Sequence, residues 1–282
     1  MFVSRQHEPR LPFPAISETA KLGFSATALT LRPFGLYESD LNVDFGNTPR
    51  PFLVTQILEC CTRGDGGPEE VPESFFWNLT VGKRIECLLK LSSPEEQAKI
   101  AVTFACQNAT CGQQIEVELS LDDIFTLQDE AYADEHVVVK VGEQQVSLRR
   151  PTGADQLTWL EAVFANEATA ARTMIGTLLL PGTVSEEVVA AQVLGVEQLL
   201  DDSDPLIDFK IEVHCPYCET ARLFEIDLED LSLRRLRQAQ LRLLRSVHTL
   251  ARHYHWSERE IFAVPSWRRS QYLALIDREQ NQ

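Results

Sequence analysis

The stretch "HCPYCETARLF", His214–Phe224, decides how the chain is read, because its cysteine spacing suits two chemistries. A Cys-x-x-Cys pair exchanges disulfides through a low-pKa thiolate, or it supplies half of a tetrahedral thiolate site for a metal. The sequence answers with an echo, "ACQNATCGQQI", Ala105–Ile115. When Cys111 is set over Cys218, "ELSLDDI" (Glu118–Ile124) falls on "EIDLEDL" (Glu225–Leu231) without a gap. Upstream, "IAVTFAC" (Ile100–Cys106) matches "FKIEVHC" (Phe209–Cys215) in strand character. The same module occurs twice: strand, cysteine knuckle, strand, then an acidic turn.

Two knuckles are what a zinc ribbon needs. Cys106-x4-Cys111 offers two positions of a tetrahedron, and Cys215-x2-Cys218 offers the other two. Four thiolates around Zn2+ close its shell, so the metal expected here is structural and its binding energy is folding energy. The redox alternative resembles the glutaredoxin active site in spelling only. That fold wants a helix N-terminus at the thiol and a glycine pair further on, whereas no glycine follows Cys218 and the next residues repeat a strand pattern. Cysteines that are merely buried remain the bland alternative, as Cys60, Cys61 and Cys87 in their apolar segments are expected to be. His214, next to Cys215, is a reserve ligand.

Around this frame the chain divides into an irregular N-terminal arm (1–50), a first α/β segment with the first knuckle (51–130), an inserted hairpin-plus-helices domain (131–205), the second knuckle (206–230) and C-terminal helices (231–282). The fold class is α+β, a bipartite zinc-ribbon-like hairpin module with a small α/β insertion and a helical end. In the insertion, strands 137–141 and 145–149 flank a turn at Gly142-Glu143, and Thr152 with Asp155 makes a capping box for a helix. Helices over about 168–180 and 185–200 come next. In the last segment, Leu233, Leu236, Leu243, Leu244, Val247, Leu250, Ala251 and Tyr254 recur at helical spacing. Ser257 and Glu260 form a second capping box, and Pro265 ends that helix.

The 282 residues carry a net charge of −16, which disfavours nucleic acid as a partner of the whole molecule. Residues 231–272 invert the sign, with nine arginines against Glu258 and Glu260. That polarity suits docking on an acidic partner or on the chain's own acidic body, or a solvated helical face. No apolar run is long enough to cross a membrane and no signal-peptide core opens the chain, so the expected location is the cytoplasm. There the cysteines are thiols or ligands, and the glycosylation-like triplets at Asn78 and Asn108 are chance matches. No His-Glu-x-x-His, phosphate loop, deaminase signature or nucleophile elbow is present, so no enzyme is expected. His248, His253 and His255 near one helix end fit capping or packing better than metal binding.

Two further stretches carry a resemblance. "VSLRRPTGADQLTWL" (Val146–Leu160) and "LLRSVHTLARHYHWSEREIFAVPSWRRSQYLALI" (Leu243–Ile276) resemble segments of the baseplate-hub assembly proteins of contractile phage tails and related injection systems. The resemblance covers roughly residues 75–282. It implies a non-enzymatic assembly factor, chaperone or structural subunit that meets hub, spike or tube proteins, with no small-molecule substrate and no membrane. Tyr254, Trp256, Trp267, Arg268, Arg269 and Tyr272 are the expected partner-binding cluster if exposed. The competing reading is a zinc-ribbon regulatory or nucleic-acid-binding module that uses the arginine-rich helices.

Overall fold

The structure, a computed structural model, describes residues 10–16, 29–64, 71–95, 97–134, 136–141, 144–181, 196, 200–201 and 203–280, with 141 and 144 described by backbone only. The class is α+β. The strands form small antiparallel sheets that share no strand with one another.

The duplicated module folds as two hairpins. β4 (Lys99–Ala105) pairs with β5 (Gln114–Ser120), and β8 (Phe209–His214) pairs with β9 (Ala221–Ile226). Alternation puts Ile100, Ile115 and Leu119 of one hairpin and Phe209, Val213, Phe224 and Ile226 of the other on buried faces. Those faces pack against each other, with the Phe104 and Phe224 rings 4.4 Å apart.

The segment after each hairpin corrects the expectation of an acidic turn. "LDDI" and "LEDL" are the first turns of helices α4 (Leu121–Ala131) and α7 (Leu228–Tyr254). The Ser120 side chain accepts from the Asp123 N–H, and the Asp227 side chain accepts from the equivalent Asp230 N–H. Acids are favoured there because unpaired N–H groups and the helix dipole attract negative charge.

Between the two cores runs α3 (Val81–Ser92), started by a Thr80 cap and buried along nearly its whole length. Val81, Ile85 and Leu89, four residues apart, face the hairpins. Cys87, Leu88 and Leu91 face a second core built with α1 (Arg50–Cys61) and α2 (Glu73–Asn78). Residues 51–61 of the first α/β segment are helical within α1, and "SFFWNLTVGKRIECLLKLS" divides into α2 and α3.

Among the described residues of the N-terminal arm, regular structure comes in short pieces. The arm carries β1 (Leu11–Pro12) and β2 (Thr30–Leu31), the latter also paired with β3 (Thr62–Arg63), and a 3-10 turn over Glu38–Asn42. Yet its residues Leu29, Leu31, Phe34 and Val43 join the second core beside Leu233 and Leu236 of α7. A buried polar knot holds them. Asp40 pairs with Arg32 at 2.5 Å and accepts the N–H groups of Gly35, Leu36 and Tyr37 at 2.8–3.0 Å. Gly35 has φ +87° and lies against Ala239, where a Cβ would meet the Ala239 Cβ at 2.9 Å.

The insertion has its own small core. β6 (His136–Val141) and β7 (Gln144–Arg149) bury Val137, Val139, Val146 and Leu148 against Ile175 and Leu178 of α6 (Glu167–Leu178). The capping box of α5 (Gly153–Glu161) forms as expected, and Asp155 also takes a two-pronged bond from Arg149 at 2.6 and 2.7 Å. The turn at Gly142-Glu143 and most of the helix expected over 185–200 lie outside the described residues.

The "Pro-Thr-Gly" corner fastens the insertion to the body. The Val81 N–H donates to Pro151 O, and the Gly153 N–H to Leu79 O. Gly153 sits against the fully buried Arg84, which donates to Pro51 O, Thr55 Oγ1 and Phe76 O. A Cβ at residue 153 would lie 2.4 Å from Arg84 Nη1. Arg84 cannot yield without abandoning those acceptors. Gly153→Ala is therefore expected to cost about 1–3 kcal/mol of stability, measured by denaturant unfolding. An unchanged midpoint would show that Arg84 is not fixed by these bonds.

Candidate metal centre

The two knuckles are built alike. Each loop is closed by its first cysteine: Cys106 N–H donates to Gln113 O at 2.8 Å, and Cys215 N–H to Thr220 O at 3.1 Å. Inside, the Gly112 N–H donates to Asn108 O and the Glu219 N–H to Cys215 O. Gly112 and Glu219, each directly after the second cysteine, are both left-handed, at φ 61° and 58°. For Glu219, which has a Cβ, that conformation costs about 1–2 kcal/mol. The two extra residues of the first loop are absorbed by an Asx turn, in which Asn108 Oδ1 accepts from the Thr110 N–H and hydroxyl at 3.1 and 2.8 Å. This Asn108 triplet, which looks like a chance sequon in the sequence, is the knuckle's own scaffold.

The loops meet at the ends of the facing hairpins. Cys106 Sγ lies 3.6 Å from Cys218 Sγ, and Cys111 Sγ lies 3.8 Å from Cys215 Sγ. All four sulfurs are within 4.8 Å of one another. All four are free thiols. A tetrahedron of metal–thiolate bonds of about 2.3 Å has S···S edges of about 3.8 Å. The cluster therefore has the size of a four-thiolate metal site, and these four residues could hold one metal ion. Cys106 and Cys215 are buried, while Cys111 and Cys218 reach partial exposure, which leaves an entry path.

The surroundings pull the thiols in opposite directions, with Cys106 and Cys111 raised and Cys218 lowered. Backbone N–H groups of Asn108, Gln113 and Thr220 hydrogen-bond to the sulfurs of Cys106, Cys111 and Cys218. The Thr220 hydroxyl, 3.4 Å away, and its N–H bring the Cys218 thiol down to about 6. On Cys106 the Asn108 N–H pulls the same way, but burial and the contacts with the other three thiols push it up to about 12. Four crowded thiols cannot all ionise by themselves. A divalent cation at their centre lifts that conflict, because it stabilises every thiolate at once.

His214 is exposed and stands outside the cluster of potential ligands, so it does not take the place of a cysteine. Cys61 and Cys87 are core residues as expected, with burial pushing both thiols far up. Cys60 is half-buried beside Arg32, and with Cys61 and Asp40 it forms a second close group. A buried guanidinium 2.9 Å from Cys60 Sγ disfavours a cation there.

The C-terminal candidates separate. Tyr254, Trp256 and Tyr272 pack on one another, the first two stacked at 4.8 Å, over a core of Leu243, Val247, Leu250, Ile261 and Ile276. Here α7 meets α8 (Glu258–Ala263) and α9 (Ser266–Gln280), with the Ser257/Glu260 box in place. Trp267 and Arg268 are exposed. Arg269 corrects the expectation of a free cation: it is 9% exposed, donates to Leu36 O at 2.6 Å and lies over the Phe262 ring. His255 ends α7 in a left-handed cap, and His253 Nε2 lies 3.3 Å from Glu279, so both serve the helix end.

No protein-family model, curated protein or solved structure matches this chain. Among the described residues, no helix is long and apolar enough to cross a membrane.

If the four cysteines form one site, the purified chain carries one metal per molecule by mass spectrometry, and Cys106→Ser and Cys218→Ser each lose it. Metal retained in either variant would contradict a joint site. Loss of metal is also expected to lower thermal stability, since thiolate–metal binding of this kind is worth about 10–16 kcal/mol in small folded units.

Proposed function

We propose that the chain is a non-enzymatic assembly factor or structural subunit for the baseplate hub of a contractile tail or injection system, with a structural Zn2+ held by Cys106, Cys111, Cys215 and Cys218. One observation carries the non-catalytic reading. Four sulfurs within 4.8 Å of one another would fill a tetrahedral shell, so a metal held by them would keep no position for water or substrate. The hub role rests on the sequence resemblance of residues 146–160 and 243–276. The structure is consistent with scaffolding by these segments: Thr152, Gly153 and Asp155 hold the insertion, and Tyr254, Trp256 and Tyr272 hold the last three helices together.

The outer side of α9 is open to a partner. Trp267 is 51% exposed and Leu275 47%, with Arg268 exposed beside Trp267. An exposed tryptophan next to an arginine is the composition of an interface anchor. The proposed partners are hub, spike or tube proteins, met in the cytoplasm of the producing cell.

The test is co-purification of the tagged full chain with the tube and spike proteins encoded beside it. The wild-type chain should retain them. The double variant Trp267→Ala, Arg268→Glu should lose them while keeping its metal and its unfolding midpoint. Undiminished retention would remove α9 as the docking surface. Absence of any retained tail protein, with salt-dependent DNA binding instead, would replace the reading with the nucleic-acid one.

A further inference from the structure

Two exposed helix faces of this chain complement each other. On α7, Arg234, Arg237, Leu241, Leu244, Arg245, His248 and Arg252 fall within one stripe of about 100°. All seven are exposed, Leu241 at 41% and Leu244 at 50%. Arg234 is paired with Asp230, but Arg237, Arg245 and Arg252 have no ion pair among the described residues. On α4, the outward residues are Asp122, Asp123, Thr126, Leu127, Asp129 and Glu130, with Leu127 48% exposed. Asp129 reaches Lys83 at 3.5 Å, and the other three acids have no ion pair among the described residues.

The spacing agrees as well as the charge. Arg237 to Arg245 and Asp122 to Glu130 each span eight residues, about 12 Å of helix. Each face sets exposed leucine among charges of one sign. Neither face can serve the other within one chain, since both are exposed there.

We infer that the α7 stripe of one copy docks on the α4 face of a second copy. Exposed leucines on both sides favour a protein occupant over a phosphate backbone, and the α4 face offers acidic charge at the spacing of the α7 arginines. The two patches lie on different elements, so the contact is head-to-tail. Each copy keeps one free patch of each kind, and association continues into a ring or an open filament according to the rotation between copies.

The experiment is sedimentation velocity of the full chain, with and without added salt, using two variants. One is Arg237→Glu, Arg245→Glu. The other is Asp122→Lys, Glu130→Lys. All four positions are exposed and none caps a helix by an observed bond, so circular dichroism should match the wild type. Wild type should associate at low salt and dissociate as salt rises. Each variant alone should associate at least about a hundredfold more weakly. An equimolar mixture should restore a complex, because the first variant keeps its acidic face and the second its basic one. A wild type that stays monomeric at low salt overturns the proposal. So does association that survives both variants, or a mixture that stays monomeric after both variants have lost it.

Discussion

The fold turns on a meeting of four thiols that the chain brings together from two distant loops. Each loop is tight and locally determined, closed by its own backbone bonds and a left-handed residue after the second cysteine. Neither loop alone offers more than half a coordination shell. Joined, they fix the ends of β4–β5 and β8–β9, and hence the starts of α4 and α7. Everything between the knuckles, including the insertion, becomes a loop closed at its base. Closing so long a loop costs entropy that grows only slowly with its length, and a metal bound by these thiolates would return about 10–16 kcal/mol.

A second constraint is polar and equally non-local. Arg84, fully buried and held at about 10 by burial, crosslinks α1 and α2 through three acceptors while Gly153 leaves it room. The Arg32–Asp40 pair does the same for the N-terminal segment, and Gln240 of α7 donates to Asp40 O and Val43 O at 2.7 Å. Losing one partner of such a pair leaves a buried charge unanswered, so these contacts specify which segments meet more than they add net stability. The helical end belongs to this wiring too, since Arg269 of α9 bonds to Leu36 O.

The parts legible in the sequence are those with a local rule. The knuckle spacing, the repeat of the flanking strands, both capping boxes and the C-terminal apolar periodicity each need only neighbouring residues, and each is present in the structure, except that Leu244 of the apolar series faces outward. The acidic repeat reads as a turn because four letters carry no helical period, although Ser120 and Asp227 stand at the cap position in both copies. The arm's place in the core is not legible. Its strands are two residues long and give no alternation, and its buried charges, Arg32 and Asp40, pair across eight residues that follow no regular period. Arg269 and Arg268 are adjacent letters with opposite fates, because only the three-dimensional position of Leu36 O separates them. Thr220 and Asn108, which tune and brace the sulfurs, carry one faint signal: both sit within two residues of a cysteine.

The proposed structural metal ties the two cysteine pairs into one site inside one chain. X-ray absorption at the edge of the metal carried by the purified full-length protein examines that site directly. Four sulfur neighbours at about 2.3 Å, no nitrogen or oxygen in the first shell, and one metal per chain are the expected result. A first shell with fewer than four sulfurs, or half a metal per chain, would contradict it.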